Sequence, residues 1–250
     1  LNEELSNTIR KSILQEAIQG KLVPQIAEEG TAQELLEQIK TEKQKLVKEG
    51  KLKKSALASS VIFRGDDNKY WEKKENNVVC IDDEIPFVIP NSWNWCRLKD
   101  IGRTETGTTP SKSHPEYFGN YIPFLSPANI LGSKIISETQ GLSNIGIEFG
   151  CVVPKNGSER LVGKSALIRN LPEPMTFGAF MAICKTPIYE YMFAYLQSDL
   201  FFGQLRDVSN TTTINQLTQN KFNDFLIPIP PVREQERIAF KISQLFQELR

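Results

Sequence analysis

Apolar residues at Leu5, Ile9, Ile13 and Ala17 recur every four positions, with Leu14 and Ile18 beside them. This spacing predicts an amphipathic helix over 3–19, closed by Gly20 and prevented from continuing by Pro24. A second helix is predicted from Thr31, whose hydroxyl is placed to cap it with Glu34 three residues on. It runs through Leu35, Leu36, Ile39, Leu46 and Val47 to Gly50. Its polar face is lysine-rich, and on a helix such a face ordinarily meets water. Residues 51–83 hold no sustained period. SALASS, a GDDN turn signal and the charged WEKKENN stretch predict a linker or surface extension. From Glu84 the pattern changes again: EIPFVIPNSWNWCRLKDIG alternates prolines with apolar and aromatic residues, as suits the first strand of a new domain. Trp93 and Trp95 are two apart, which in a strand puts both indoles on one face, and core packing is the reading.

Up to about Ile229, strand-like pieces alternate with clusters of Gly, Asn, Ser and Pro: TGTTPSKS, FGNY, ILGS, PKNGSE and SNTTT. Short helices are predicted at Glu190–Leu205, with Tyr191, Ala194, Tyr195 and Phe202 as the apolar side, and around Gln216–Phe222. LIPIPPVREQERI then joins a β-like run to a helix that starts near Val232, with Pro230 and Pro231 at the junction. Ile238, Ile242, Leu245 and Leu249 follow at steps of four, three and four, the seam spacing of a coiled coil, so this helix calls for a partner. Residues 3–19, residues 31–50 or a twin chain could supply it. The fold class is therefore α+β, a compact mixed domain flanked by long helices. The segments are 1–54 helical, 55–83 linker or surface extension, 84–229 compact domain and 230–250 the start of a C-terminal helix projecting as a stalk. A first residue Leu1 and a last residue Arg250 in mid-pattern point to a piece of something longer or a trimmed chain.

Composition narrows the function. The 24% charged residues fit a soluble protein, no apolar run is long enough to cross a bilayer, and no signal-peptide pattern opens the chain, so a cytoplasmic protein is expected. Cys80, Cys96, Cys151 and Cys184 form no C-x-x-C pair, which disfavours zinc and leaves buried free thiols. His114 is the only histidine, so a Ser-His or Cys-His dyad would have to use it, and Ser113 and Pro115 put it in a turn. The net charge of zero argues weakly against a nucleic-acid binder, yet basic residues cluster locally. Seven lysines stand between Gln38 and Lys54 against Glu42 and Glu49, and four basic residues between Lys155 and Arg169 against Glu159.

Several motifs fail on inspection. GSERLVGKS, Gly157–Ser165, has five residues between its glycines where a phosphate-binding loop has four. Asp82, Asp83 and Glu84 lack the companions of a metal site, and adjacent carboxylates ordinarily stay solvated. LIPIPPV only echoes an amino-methyltransferase signature. Two polar stretches remain, Gly107–Lys112 (GTTPSK) and Ser209–Asn215 (SNTTTIN). Small hydroxyl and amide side chains in such loops can donate to phosphate oxygens and base edges, or can simply serve turns and caps.

Taken together, these segments resemble the specificity subunit of type I restriction-modification systems, with one target recognition domain and its helical conserved regions. IRKSILQEAIQGKLVPQ, with the helix to KEGKLKK, is similar to the family's helical spacer. IPFVIPNSWNWCRLKDIG, GTTPS, YFGNYIPFLSPANI, VVPKNGS with GKSAL, and YLQSDLF follow the recognition domain in order. NTTTINQLTQNKFNDFLIPIPPVREQERIAFKI resembles its close and the return helix. The resemblance leaves out only residues 55–80.

The resemblance implies a subunit without chemistry of its own. It would read one half of a split double-stranded DNA target, and its helices would pair as an antiparallel coiled coil. It would dock modification subunits that bind S-adenosylmethionine, and restriction subunits that use ATP and magnesium. One recognition domain stands where the family usually has two, so a second copy or second half is implied. Position by position, Thr108, Thr109, Ser111 and Lys112 fall in the first matching loop. Lys155, Asn156 and Ser158 fall in the second, beside Lys164 of GKSAL, and Thr211, Thr212, Thr213 and Asn215 fall in the third. These are the expected DNA contacts. The rival reading is a coiled-coil adaptor whose middle domain binds protein, since Pro90–Leu226 holds twelve basic against eleven acidic residues. A stand-alone nucleic-acid enzyme is disfavoured by the missing histidines and motifs.

Overall fold

A computed structural model describes residues 2–131, 134–135, 150–154, 163–169, 173, 175–210 and 217–249. In chain order, helices α1 (Glu3–Ile18) and α2 (Ala32–Lys48) lead into strands β1 (Ser60–Arg64), β2 (Tyr70–Lys74), β3 (Asn77–Cys80) and β4 (Asn94–Arg97), then the single turn α3 (Leu98–Ile101). There follow β5 (Arg103–Thr106), β6 (Gly119–Leu125), β7 (Ile130–Leu131), β8 (Lys134–Ile135), β9 (Gly150–Pro154), β10 (Ala166–Ile168), β11 (Thr176–Phe177) and β12 (Met181–Lys185). Helices α4 (Tyr189–Leu196), α5 (Asp199–Asn210) and α6 (Gln219–Asn223), strand β13 (Leu226–Ile229) and helix α7 (Val232–Glu248) complete the described elements. The chain forms two compact units, Leu1–Arg103 with Asp224–Arg250, and Thr104–Asn223.

In the first unit the helix limits follow the sequence. Asn2 caps α1 by accepting from Leu5 N at 2.8 Å, and Gly20 ends it at φ +72°. Gly20 N bonds Ala17 O while Lys21 N bonds Glu16 O, satisfying two of the helix's last carbonyls. Gly50 closes α2 in the same way, at φ +71°, with Lys51 N on Leu46 O. The expected side-chain cap at Thr31 is not made; a different end amide, Ala32 N, bonds Ser92 O at 2.8 Å.

Three expectations are corrected. The buried side of α1 is Ser6, Leu14, Ala17 and Ile18, whereas Leu5 is 47% exposed, so the helix is turned by about one residue from the predicted face. The reason is its neighbour. Ser6 Oγ donates to Leu249 O at 3.0 Å and Arg10 lies over the Phe246 ring, which sets α1 against α7. Residues 55–83 are folded, with β1, β2 and β3 forming an antiparallel sheet in which Ile62 pairs with Glu72 and both are buried. Its two connections need left-handed residues at Asn68 (φ 62°) and Glu75 (φ 50°), and the short, charge-interrupted strands hide its period in sequence. Finally, Pro228–Lys241 does not project as a stalk. Every residue of β13 is buried, and Glu234, Gln235, Ile238 and Ile242 are buried in α7. At this end Gln25 Nε2 donates to Glu234 Oε1 at 2.6 Å, and Arg237 forks onto Glu29 at 2.9 and 2.6 Å. With Ser6 at the far end, α1 and α7 run antiparallel.

Strand β13 pairs antiparallel with β4, Ile227 opposite Cys96, and Trp93 and Trp95 are both buried, as core packing predicts. Arg97 ties this pair to the small sheet. Its guanidinium forks onto Glu72 at 3.1 and 2.8 Å, reaches Glu84 at 2.9 Å and donates to Asp224 O at 2.9 Å. Of the described cysteines, Cys96 and Cys184 are buried, while Cys80 is exposed, against expectation. No helix among the described residues is long and apolar enough to cross a membrane.

Burial alone would raise the Glu72 carboxyl, but hydrogen bonds from Arg97 and Ser60 outweigh it and hold the group at about 2, against an ordinary 4.5. A depressed folded pKa gives stability that is complete above the unfolded value and lost as pH falls from about 4.5 toward 2. Glu72→Gln, which leaves Arg97 half-paired, should lower stability by about 3 kcal/mol at neutral pH. Urea midpoints of the variant and the parent should then converge as the solution is acidified through that window.

Candidate nucleic-acid interface

The second unit is framed by a four-stranded sheet in the order β10-β9-β12-β5, with β9 antiparallel to both β10 and β12. Beside it β11 runs parallel to β6, Phe177 opposite Leu125. Leu125, Ala166, Ile168, Met175, Phe177, Met181 and Ile183 make the buried cluster. This frame delivers one loop, 107–112, to the surface, where Thr108, Thr109, Ser111 and Lys112 are all exposed.

The root of the loop is fixed from two sides. On one, Gln219 Nε2 of α6 donates to Thr104 O at 2.6 Å, and Thr104 Oγ1 donates to Asn223 Oδ1 at 2.5 Å, which clamps β5. On the other, Gly107 N bonds Met181 O at 3.2 Å. Gly107 has no room for a side chain: a Cβ there would lie 2.1 Å from Phe177 O and 2.5 Å from Gly178 O. Past the root, Ala179 N donates to Thr109 Oγ1 at 3.0 Å, so Thr109 is stapled to the turn between β11 and β12. That turn is tight, with Met181 N on Gly178 O at 3.0 Å and Gly178 N on Leu125 O at 3.0 Å. Ser111 Oγ accepts from Ser113 N at 3.3 Å and its carbonyl accepts from His114 N at 3.1 Å, which folds the far end of the loop into its own turn. His114 stacks on Tyr117 with ring centres 5.0 Å apart.

Of the other expected contacts, Lys164 is half-buried. The preceding Gly163, at φ +84°, lies where a Cβ would meet Leu205 Cδ2 at 2.6 Å and Phe202 Cε1 at 3.0 Å. Strand β10, not a helix, follows Gly163-Lys164-Ser165, which agrees with rejecting a phosphate-binding loop. Lys155, Asn156, Ser158, Thr211, Thr212, Thr213 and Asn215 lie outside the described residues. The structure thus joins the first candidate loop to the 178–180 turn, a partner that sequence reasoning missed. The Gly178 in FGAF was its one signal, and an undistinguished one. Among the described residues no group of three or more acidic, histidine or cysteine side chains could hold a metal. The chemistry on offer is hydroxyl and ammonium donation from an exposed, braced loop.

Comparison with known proteins gives this arrangement a context. Residues 175–250 match the family model described as type I restriction modification DNA specificity domain. The chain is 26% identical over 171 residues to the type I restriction enzyme MjaIX specificity subunit of Methanocaldococcus jannaschii, covering 62% of this chain and 38% of that protein. It is 27% identical over 259 residues to the type I restriction enzyme EcoAI specificity subunit of Escherichia coli, covering 96% of this chain and 40% of that protein. It therefore spans about two fifths of the length of these relatives. Among solved structures, one concerned with complex assembly and conformational transition of the type I restriction-modification system shares the fold. The TM-score is 0.52 at 20% identity, over 66% of this chain and 40% of that one.

The frame around the loop supplies a stability test. Gly107→Ala pushes a methyl group into backbone carbonyls that cannot swing aside, so a loss of about 1–3 kcal/mol is expected. Thermal unfolding should show it, while Gly119→Ala, with nothing within 4 Å of its Cβ, should leave the midpoint nearly unchanged. The matches above make the chain similar to type I restriction-modification specificity subunits, and residues 175–250 are the stretch that matches the type I restriction modification DNA specificity domain.

Proposed function

We propose that this chain is a DNA-specificity module that reads one half of a bipartite double-stranded target and lends that address to catalysts on other subunits. The observation that carries the reading is the braced loop 107–112, with two threonines, a serine and a lysine exposed on a rigid frame, in a chain whose relatives are named specificity subunits. Loops held on rigid scaffolds are where recognition residues concentrate. Hydroxyls suit base edges and phosphates alike, whereas a lysine acts on phosphate as a point charge. Recognition is assigned to Thr104–Asn223, a narrower range than the 84–229 expected from sequence. Lys155, Asn156, Ser158, Lys164, Thr211, Thr212, Thr213 and Asn215 are kept as further contacts.

In this reading the chain performs no catalysis and holds no cofactor. S-adenosylmethionine, ATP and magnesium belong to the modification and restriction subunits it docks, and a second copy or second half reads the other half-target. Helices α1 and α7 are proposed to extend as an antiparallel coiled coil through Ile238, Ile242, Leu245 and Leu249. The antiparallel contact already made at Ser6 and Leu249 supports this. Although Pro228–Lys241 is built into the body and not a stalk, the recognition reading stands on the loop frame and the relatives.

Binding of the chain to random-sequence duplex, followed by fluorescence anisotropy over a salt series, tests the proposal. Steep weakening with salt is expected of a phosphate binder, and Lys112→Gln should flatten the slope of log affinity against log salt by about one unit. Lys155→Gln should do the same. Salt-independent or undetectable binding would favour the protein-binding adaptor.

A further inference from the structure

Phe180 stands at the tip of the turn between β11 and β12 with 56% of its surface exposed, next to Ala179, also exposed. The residues that flank the 178–180 turn are core: Phe177 and Met181 are buried, the latter completely. The turn is held at both ends, by Gly178 N on Leu125 O and by Met181 N on Gly178 O, each at 3.0 Å. Its second residue is tied sideways to the candidate reading loop through Ala179 N on Thr109 Oγ1. Gly178 sits so close to that loop that a Cβ would touch Thr109 Oγ1 at 3.0 Å and Phe124 Cζ at 2.9 Å. Scattered exposed apolar residues need no explanation in general. A large ring fixed by a stapled turn alongside exposed threonines is a different case, because it cannot retreat into the core and is presented with the polar donors.

Resting on the proposed DNA reading, we infer that Phe180 is a specificity-determining residue, an apolar reader of a thymine 5-methyl group in the major groove. The four base pairs differ there in their donors and acceptors and in this one methyl group. The hydroxyls of Thr108, Thr109 and Ser111 can address the former, while the latter takes an apolar group, which the exposed ring of Phe180 presents beside the loop. Burying one methyl group is worth about 0.8 kcal/mol, or about fourfold in affinity.

The test uses the full chain and a random-sequence duplex pool enriched by binding to it, from which the preferred sequence is read. Thymine is expected at one position where Phe180→Ala relaxes the preference. Replacing that thymine with deoxyuridine, which lacks the methyl group, should weaken the parent about fourfold and leave Phe180→Ala unaffected. Phe180→Leu, which keeps apolar bulk, should retain part of the response. Both variants should keep the parental salt slope and unfolding temperature, since the ring is largely exposed. If sequence selection is present but Phe180→Ala yields the same consensus, or the deoxyuridine effect is equal in parent and variant, the methyl contact is overturned while the DNA reading survives. If the parent selects no sequence and binds without salt dependence, the DNA reading itself falls and takes this contact with it.

Discussion

The pairing of β4 with β13 is the constraint on which the first unit depends, because it closes a body whose two parts are separated in the chain by all of Thr104–Asn223. Four residues on each side would be a weak hinge if left to backbone hydrogen bonds alone. Arg97, at the last position of β4, reinforces it. One buried guanidinium holds two carboxylates from the 55–84 stretch and the carbonyl of Asp224, the residue that leads into β13. A planar fork can satisfy several acceptors at once, which a lysine could not do from the same place. Leu98 N on Phe225 O and Lys99 on Asp224 continue the same seam. The chain therefore leaves for the second unit and returns from it at adjacent, mutually bonded residues.

The same economy of connection operates in the second unit. Strand β5 begins at the boundary, is clamped by Gln219 and Asn223 through Thr104, and ends in Gly107 against backbone carbonyls. Nothing in the loop that follows contributes to the buried cluster. Stability is thus drawn from the frame, and the exposed side chains at 108 and 112 can differ without unfolding it, whereas Thr109 and Ser111 also hold the loop's own shape. That separation suits a protein whose relatives, named for distinct type I enzymes, share 26% and 27% identity with this chain.

Much of this was legible in the sequence where a residue type has one conformational use. Gly20 and Gly50 marked helix ends because a left-handed residue is needed there, and Pro230 and Pro231 marked the start of α7 because proline suits the first turn and nothing deeper. What was not legible depended on contacts distant in sequence. The face of α1 was misjudged because Ser6, a polar residue, is covered by the end of α7. The β1–β3 sheet was missed because its strands of four and five residues alternate too briefly to register, and because Glu72 is buried for the sake of Arg97, which no local pattern announces. At the site, the loop was found from its hydroxyls, but its brace was not: the 178–180 turn lies about seventy residues on, and the placing of β12 beside β5, with β11 beside β6, brings it there.

The buried charge at Arg97 and the neutral surface balance of the chain belong to one argument. A net charge of zero limits long-range attraction to a polyanion, so any affinity for DNA must come from where cations are held rather than from how many there are. Cations spent inside, as Arg97 is on Glu72 and Glu84, or locally neutralised, as Lys185 is by Glu105 and Arg237 by Glu29, cannot face phosphate. Under the proposed reading, selectivity is a difference between specific and nonspecific affinity, and fewer available cations would lower the nonspecific part without abolishing its salt dependence. A reader with few phosphate anchors gains more discrimination from each base-edge contact than one that adheres to any duplex. Under the proposed reading, the hydroxyl-rich loop and the turn beside it, more than the lysines, are where sequence preference would be generated.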